Sequence, residues 1–269
     1  MKFNKAGAYN LIEKTARWFL KPNVTEKYGW FGDYPSWEEA KNDTSGYDSN
    51  VILEKVKNSL LKVKNGEAIF ERDSFIFDEI QYSWGVLAAL SLEASKNKGK
   101  LEVLDFGGSL GSGYFQNRQA LQHLESLHWS ILEQDHFVDC GKENFENEQL
   151  SFFHDYEEFS SKRPKPNVLL LSSVIQYLEE PFPILTKLLS YNISTVVIDM
   201  TTFIEGDGDM ITIQKVPPHI YEASYPTRFF NKEKLINFFV QHGYQKMGEW
   251  KLPYDLNMGY HAGIIFNKN

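Results

Sequence analysis

Residues 101–113 read Leu-Glu-Val-Leu-Asp-Phe-Gly-Gly-Ser-Leu-Gly-Ser-Gly. A short apolar run ends near Asp105, four glycines follow within seven residues, and the next segment can begin a helix. Glycine lets the backbone turn sharply and lets a ligand approach where a Cβ would collide with it. A strand, a glycine-rich turn and a helix N-terminus in this order are typical of a binding site for a nucleotide-like cofactor.

A second carboxylate follows at the spacing that such a site requires. About 20 residues beyond the last glycine, the segment His128–Glu133 is apolar and ends in an acidic residue. A carboxylate beside a glycine loop accepts hydrogen bonds from ribose hydroxyls. We therefore predict that Glu133 binds a ribose in a Rossmann-like site, with a surface carboxylate at a strand end as the alternative.

From residue 101 onward, apolar runs alternate with helical patterns, which predicts an α/β fold. The first five runs are separated by connections of crossover length and are expected to form parallel strands, whereas the last two are joined without a helix and are expected to form an antiparallel hairpin at a sheet edge. The predicted strands are 101–106, 129–132, 150–153, 168–171, 196–199, 245–250 and 262–267, and the predicted helices between them are 114–124, 136–144, 183–190 and 232–242.

Residues 1–98 have a different character and are predicted to form an N-terminal helical cap, with residues 99–269 forming the cofactor-binding domain. An amphipathic segment spans residues 10–20. Apolar positions at a helical spacing predict one helix that ends before Asn65-Gly66 and a second from Phe77 to about Lys96. Aromatic residues are concentrated in the loop-like stretch 28–37.

Composition limits the class of protein. The 269 residues carry a formal net charge of −8, which argues against a nucleic-acid partner because such proteins normally present a basic surface. The single cysteine, Cys140, cannot form an internal disulfide and fits a reducing compartment. No run approaches the ~20 apolar residues of a membrane span, and the N-terminus lacks the apolar core of a signal peptide. We therefore expect a cytoplasmic protein without a transmembrane segment.

The glycine loop also indicates which cofactor to expect. Its spacing, Asp105-x-Gly107-Gly108-x-x-Gly111-x-Gly113, resembles the D/E-x-G-x-G-x-G signature of class I S-adenosylmethionine (SAM)-dependent methyltransferases. That resemblance implies SAM as cofactor and a seven-stranded sheet whose final strand pair is antiparallel. The chain departs from the signature at Ser109, which stands where the middle glycine normally falls.

Motifs along nearly the whole chain carry a closer resemblance. They are Trp30-Phe31-Gly32-Asp33-Tyr34-x-Ser36-Trp37, Ser45-Gly46-Tyr47-Asp48, Glu71-Arg72-Asp73-Ser74, the glycine loop, Leu171–Leu178 and Ala223–Phe230. This series is similar to a family of bacterial class I SAM-dependent methyltransferases associated with surface-polysaccharide (O-antigen or capsule) gene clusters. The resemblance implies a methyltransferase that O-methylates a small-molecule or glycan acceptor, such as a saccharide or its precursor.

The methyltransferase resemblance also implies roles for individual residues. Glu133 would take the ribose diol, Asp155 would receive the adenine amino group, and Arg72 in the cap would meet the SAM carboxylate or form an exposed ion pair. Ser172 and Ser173 would face the position of methyl transfer. The methionine part of SAM would be held by Asp105, Gly107, Gly108, Ser109 and Gly111.

The acceptor side is less marked in the sequence. A hydroxyl acceptor needs in-line approach to the methyl group and help in losing its proton, and the candidates for that base are Tyr177 and His219. Arg228 is a candidate for binding a carboxylate or phosphate on the acceptor. No metal site is expected. Two alternatives stay open: an NAD(P)-dependent sugar-modifying oxidoreductase or epimerase, and a catalytically inactive methyltransferase-like scaffold.

Overall fold

The structure is a computed structural model that describes residues 27–46, 49–218 and 220–269. The predicted amphipathic segment at 10–20 lies outside these residues. The described N-terminal part contains three strands as well as helices, so it differs from the purely helical cap that was expected. Its elements are β1 (Gly29–Tyr34), α1 (Trp37–Asn42), α2 (Ser49–Lys64), β2 (Phe70–Arg72), β3 (Phe75–Phe77) and α3 (Trp84–Lys96).

The remainder of the chain follows the predicted alternation of strands and helices. A 3₁₀ turn, Ile175–Tyr177, follows the fourth of the predicted strands. The elements are β4 (Lys100–Phe106), α4 (Ser112–Asn117), β5 (Ser126–Leu132), α5 (Asp135–Asn144), β6 (Leu150–Phe153), α6 (Tyr156–Lys162), β7 (Val168–Ser172), α7 (Pro181–Ser190), β8 (Thr195–Ile204), β9 (Met210–Val216), β10 (Ala223–Asn231), α8 (Lys232–Gln241), β11 (Tyr244–Asp255) and β12 (Tyr260–Lys268).

Seven of these strands form the predicted central sheet. Its order is β6-β5-β4-β7-β8-β12-β11. Strands β4 to β8 are mutually parallel, whereas β12 runs antiparallel to both β8 and β11. The predicted α/β fold, a Rossmann-like class I methyltransferase arrangement with a terminal antiparallel hairpin, is confirmed by this topology. Because the parallel strands share a direction, the residues that follow β4, β5, β7 and β8 meet at one edge of the sheet.

The sheet also has an extension that the sequence pattern did not predict. Strands β9 and β10 form an antiparallel pair in the segment expected to be a loop, and β1 pairs with β9 on its other side. Strand β10 joins the central sheet through a two-residue ladder with the carboxyl end of β8, at Phe230↔Phe203 and Asn231↔Ile204. The result is a ten-stranded sheet. How residues 1–98 and 99–269 divide into domains stays a prediction.

Two other predicted features differ in detail. The helix expected over 114–124 is the shorter α4, which ends at Asn117, where the amide side chain donates to the Gly113 carbonyl. An additional helix, α6, begins directly after Asp155, whose side chain accepts a hydrogen bond from the Glu158 backbone N–H at 2.7 Å. Such a side-chain cap satisfies an N–H that lacks a partner within the helix and so favours helix formation at that point.

The core lies on both faces of the central sheet. Successive side chains of a strand point to opposite faces, so a parallel strand that is covered on both sides is apolar throughout. Val103 packs in the cluster beneath α2 and α3, whereas the next residue, Leu104, packs in the cluster beneath α7 and α8. This two-sided burial fixes the register of the strands and thereby the positions of the loops that follow them.

Candidate functional site

A large cavity opens at the carboxyl edge of the parallel strands. Its volume is about 1460 Å³, enough for a cofactor and an acceptor together, since pockets for single small ligands occupy about 300–1,000 Å³. Residues from the glycine loop, from the ends of β5, β7 and β8, from the β2–β3 hairpin and from β10 line it. The predicted cofactor residues that reach the cavity are Asp105, Gly107, Gly108, Ser109, Glu133, Asp155, Ser172 and Ser173.

The glycine loop is closely packed at two of its glycines. Gly107 has a φ of +74°, and a Cβ there would lie 2.4 Å from Cγ2 of Val174. A Cβ on Gly108 would lie 2.5 Å from the carboxyl carbon of Asp105. Both positions therefore require glycine if the loop is to keep this path beside the strand ends.

Gly111 does not belong to the cavity wall, in contrast to its predicted role in holding the methionine part of SAM. It precedes the first residue of α4 with a φ of +101°, and a Cβ there would lie 3.0 Å from Cδ2 of Leu150. The residue thus allows the loop to enter the helix while the loop packs on the sheet. Its glycine is explained by backbone conformation and packing.

Asp105 is a buried carboxylate at the end of the central strand. Its Oδ2 atom accepts a hydrogen bond from Trp129 Nε1 at 2.9 Å, and only 3% of the residue is exposed. Burial raises the pKa of Asp105 to about 7, the Trp129 hydrogen bond lowers it in part, and the negative charge of Glu133 raises it further. A buried anion without a compensating cation is costly, and a positively charged ligand in the cavity would offset that cost.

Glu133 is held next to the glycine loop. Its carboxylate accepts a hydrogen bond from the Gln134 backbone N–H at 2.7 Å and a further one from the Ser109 backbone. Burial raises the pKa of Glu133, and these two hydrogen bonds oppose that shift. Ser109 has a φ of 54°, so its backbone adopts a conformation that a glycine would adopt more readily. Ser109 therefore fits at the position of the expected glycine. Its backbone forms a hydrogen bond with Glu133, the carboxylate that is predicted to bind the ribose.

Asp155 lies at the rim of the cavity and already has a structural partner. It is exposed, and its side chain caps α6 as described above. Beside it, the rings of Tyr156 and Tyr191 are stacked at a centroid distance of 3.3 Å, and both residues also line the cavity. The predicted contact of Asp155 with an adenine amino group therefore depends on the second carboxylate oxygen.

The ends of β7 and β8 are joined by a buried carboxylate. Asp199 accepts hydrogen bonds from Ser172 Oγ at 3.2 Å and from Ser83 Oγ at 3.1 Å. The Ser173 backbone N–H donates to the Asp199 carbonyl at 2.9 Å, and Ser173 has a φ of 52°. Burial raises the pKa of Asp199, while these hydrogen bonds and the charge of Arg72 lower it. Ser172 thus faces a neighbouring strand end as well as the cavity.

Of the predicted acceptor-side residues, the structure describes Tyr177 and Arg228, and only Tyr177 lines the cavity. Tyr177 lines the cavity, donates from its hydroxyl to Gln214 Oε1 at 3.0 Å and contacts the Tyr225 ring edge-to-face. Burial raises the pKa of Tyr177 to about 12, with a further contribution from the charge of Asp73. A phenol with so high a pKa is a hydrogen-bond donor at neutral pH and a poor proton acceptor in its ground state, which disfavours the predicted role as a base. His219 lies outside the described residues.

Arg228 does not reach the cavity. Its Nη2 atom donates to the Glu179 carbonyl at 2.9 Å, and its guanidinium lies over the Trp37 ring. The predicted contact of Arg228 with an anionic acceptor group stays a prediction, but the residue does not line this cavity. Tyr225 and Pro226, earlier in the same strand β10, line the cavity, whereas Arg228 is held away from it by the contacts with Glu179 and Trp37.

Several cavity residues were not among the predicted site residues. The β2–β3 hairpin contributes Glu71, Arg72 and Asp73, of which only Arg72 was considered as a ligand for SAM. His261 of β12 also lines the cavity; its Nδ1 atom is buried without a hydrogen-bond partner in the described part of the chain, and burial lowers its pKa to about 4. The motif Glu71-Arg72-Asp73-Ser74 was the one signal in the sequence that pointed to this hairpin.

Neither a metal centre nor a membrane span is found among the described residues. Over 27–46, 49–218 and 220–269, no group of three or more His, Cys, Asp or Glu side chains is placed to hold a metal ion. Within the same ranges, no helix has the length and apolar character needed to cross a bilayer.

No protein-family model and no curated protein matches the sequence. Among solved structures, the N-terminal domain of EvdMO1 with S-adenosylhomocysteine (SAH) and D-fucose is similar with a TM-score of 0.49, 12% identity, and coverage of 83% of this chain and 98% of that one. Magnesium protoporphyrin IX methyltransferase from Synechocystis PCC 6803 with bound SAM is similar with a TM-score of 0.48 and 11% identity, and the match covers 84% of this chain and 99% of that one. A pericyclic reaction enzyme is similar with a TM-score of 0.48 and 12% identity, and the match covers 81% of this chain but only 64% of that one.

Proposed function

We propose that this protein is a SAM-dependent methyltransferase that methylates a hydroxyl of a saccharide or saccharide precursor in surface-polysaccharide biosynthesis. The observation that carries the proposal is the juxtaposition of the glycine loop, the buried Asp105 and Glu133 on one cavity, at the carboxyl edge of a sheet with the order β6-β5-β4-β7-β8-β12-β11. Ligands of Rossmann-like sheets bind at this edge.

The charge of the cavity wall fits the proposed cofactor. Acidic side chains outnumber basic ones along it, as expected for a ligand that carries a sulfonium and an ammonium group. The acidic residues are Glu71, Asp73, Asp105, Glu133, Asp135, Asp155 and Asp199, and the basic ones are Lys41, Arg72, Lys187 and Lys215.

Each part of SAM has a candidate partner in the chain. We assign the ribose hydroxyls to the Glu133 carboxylate, the methionine part to the loop at Gly107 and Gly108, and the methionine carboxylate to Arg72. When bound, SAM supplies a methyl group on a positively charged sulfur, which is a good leaving group without help from a metal. The protein must then bind the acceptor in line and remove its hydroxyl proton.

We call the part of the cavity wall formed by Trp30, Tyr177, Gln214 and Tyr225 the acceptor end, and its chemistry suits a ring-shaped, hydroxylated compound. Aromatic rings from three separate elements, Trp30, Tyr177 and Tyr225, line it together with the amide of Gln214. Flat aromatic faces pack against the apolar face of a sugar ring, and amide groups hydrogen-bond its hydroxyls. The assignment to surface polysaccharide rests on the motif resemblance, and a cytoplasmic location is part of the proposal.

Calorimetric titration with SAM, SAH and NAD(P)⁺ tests the cofactor. We expect micromolar binding of the two adenosyl ligands and no heat from NAD(P)⁺. Binding of NAD(P)⁺ alone would assign the protein to the oxidoreductases, and absence of binding by all three would favour a scaffold without cofactor.

A pair of glycine variants places the cofactor within the cavity. Gly108→Ala puts a methyl group against Asp105, so we expect it to weaken SAM binding tenfold or more. Gly208→Ala is the matched control, because no atom lies within 4 Å of a Cβ at Gly208. Equal SAM affinity in both variants would place the cofactor away from the glycine loop.

A further inference from the structure

The β2–β3 hairpin carries a carboxylate into the cavity at its turn. Asp73 and Ser74 are its two central residues, with φ values of 51° and 69°. Positive φ at both central positions is what a type I′ hairpin turn requires, and Asp tolerates it better than most residues. Asp73 therefore lies in the turn, outside the β2–β3 strand pairing.

Hydrogen bonds fix the position of this turn relative to the proposed cofactor loop. The Ser74 backbone N–H donates to Glu71 Oε1 at 3.1 Å, and Ser112 Oγ donates to Glu71 Oε2 at 2.6 Å. Ser112 is the first residue of α4, the helix that follows the glycine loop. From the other side, Ser59 Oγ of α2 donates to the Ser74 carbonyl at 2.7 Å. Glu71, which is only 1% exposed, therefore holds the hairpin turn and the loop together.

Asp73 lines the same cavity as Tyr177, Gln214 and Tyr225, to which we assign the acceptor. The surrounding protein encloses it, yet its own surface is exposed to the cavity. The charged and titratable groups that interact with its charge are Glu71 and Arg72 from its own hairpin, Tyr177 from the 3₁₀ turn and Tyr225 from β10. The Tyr177 and Tyr225 rings contact each other edge-to-face, and both line the same cavity as Asp73. The negative charge of Asp73 raises the pKa of both phenols.

Three other carboxylates of the cavity wall already accept hydrogen bonds from the protein. Asp199 accepts from two serine hydroxyls, Glu71 accepts from a serine hydroxyl and a backbone N–H, and Asp105 accepts from Trp129. Within the described residues, Asp73 accepts no hydrogen bond from the protein. Its oxygens are therefore available to a hydroxyl in the cavity.

We propose that Asp73 is the base that takes the proton of the acceptor hydroxyl during methyl transfer. The proposal rests on the proposed function and names the residue that carries it out. The acceptor oxygen forms a bond to the methyl carbon while the carbon–sulfur bond breaks and its electron pair stays on sulfur, giving SAH. The hydroxyl proton passes to the Asp73 carboxylate and from there to solvent. Burial raises the pKa of Asp73 and the Arg72 guanidinium lowers it in part, so the carboxylate is a stronger base than one in open solvent.

The test uses Asp73→Asn, with Asp78→Asn as the matched control. Asn tolerates the left-handed conformation at least as well as Asp, so the turn is expected to survive. Asp78 is exposed, lies five residues further along and does not line the cavity. Methyl transfer from tritiated SAM is measured to a panel of methyl glycosides and nucleoside-diphosphate sugars and to a second panel of amino sugars.

We expect the wild type and the Asp78 variant to methylate at least one hydroxyl compound, with a rate that rises with pH as a carboxyl group ionises. Asp73→Asn should be about 100-fold slower or worse, because removal of a general base typically costs 10²–10⁴, and this rise with pH should disappear. Its affinity for SAM should stay within about threefold of wild type. A rate within threefold of wild type would overturn the assignment, as would a wild type that methylates only amines or none of the compounds.

A second measurement needs no acceptor. In protein labelled with ¹³C at the aspartate carboxyls, the resonance that disappears in Asp73→Asn belongs to Asp73. Its chemical shift should be that of an ionised carboxylate at the pH of turnover. A carboxyl that stays protonated from pH 6 to pH 9 could not take a proton and would overturn the proposal. Failure of the proposed function is recognised separately, because it is seen in the wild type, which would then bind neither SAM nor SAH, or would methylate none of the hydroxyl compounds. Failure of the Asp73 assignment alone is seen only in the Asp73 measurements, with an active wild type.

Discussion

Replacing Asp105 by Asn should stabilise the protein at neutral pH. The carboxylate is 3% exposed and its pKa is raised from 3.8 to about 7. A carboxyl group whose pKa is higher in the folded state binds its proton more tightly there, so the folded protein loses stability as pH rises from about 4 to 7. Asn removes the charge, while its side-chain oxygen still accepts the Trp129 hydrogen bond.

The size of the effect follows from the two pKa values. The two pKa values differ by about 3, and each pKa unit corresponds to about 1.4 kcal/mol. Ionisation of Asp105 therefore lowers the free energy of unfolding by about 4 kcal/mol above pH 7. Of this, the part that arises between pH 5 and pH 7 is about 3 kcal/mol. The costs of burying the Asn amide are the same at both values of pH and cancel in the comparison. Other buried carboxylates, such as Glu71, are present in both proteins and cancel as well.

The assay is urea unfolding of wild type and Asp105→Asn at pH 5 and at pH 8 without ligand. We expect the free energy of unfolding of the variant, relative to wild type, to increase by about 3 kcal/mol between the two conditions. Asp33→Asn, which removes an exposed carboxylate, serves as the control and should show no such gain. If the free energy of unfolding of the Asp105 variant exceeded that of wild type by the same amount at pH 5 and pH 8, the reasoning would be refuted. Ionisation of the buried carboxyl would then cost no stability. The variant should also bind SAM more weakly, so that stability is gained where binding is lost.

Three further variants test the cavity. Gly107→Ala should weaken SAH binding tenfold or more, because its Cβ would lie 2.4 Å from Val174 in a left-handed backbone conformation; calorimetry giving an unchanged Kd would contradict this. Glu133→Gln should lower SAM affinity by a similar factor while SAM analogues that lack the ribose hydroxyls lose less, and equal losses for both would remove the residue from the ribose site. Tyr177→Phe should leave SAM affinity unchanged and lower the rate of methyl transfer, because it removes the hydroxyl that donates to Gln214; a turnover equal to wild type would exclude a role in the reaction.

The central sheet could be predicted because each of its parallel strands is marked by a local pattern in the sequence. The parallel strands are buried on both faces and therefore read as continuous apolar runs, and the glycine loop marks the end of one of them. The placement of Asp105 and Glu133 at the same edge follows from the shared direction of β4 and β5. These features needed no knowledge of long-range contacts.

The rest of the site depends on contacts between distant parts of the chain. Strand β10 contains Pro226, which lacks an N–H and demotes a strand prediction, yet here it lies opposite Ile213 in the antiparallel pair with β9. The strands β2 and β3 have three residues each, too few to show a periodicity. The turn that carries Asp73 is held against α4 by the Glu71–Ser112 hydrogen bond, which joins residues 41 positions apart and is not visible in any local pattern.

The pairing of β1 with β9 bears on how the protein can be shortened. A fragment that begins at residue 99 retains all seven strands of the central sheet but lacks the partner of β9. Strand β9 would then present its unpaired N–H and C=O groups and the side chains of Ile211 and Ile213 at a sheet edge. Such edges recruit strands from other molecules, so this fragment should self-associate. Strand β1 thus protects this edge of the sheet against aggregation, and its residues Gly29 and Trp30 also form part of the cavity wall.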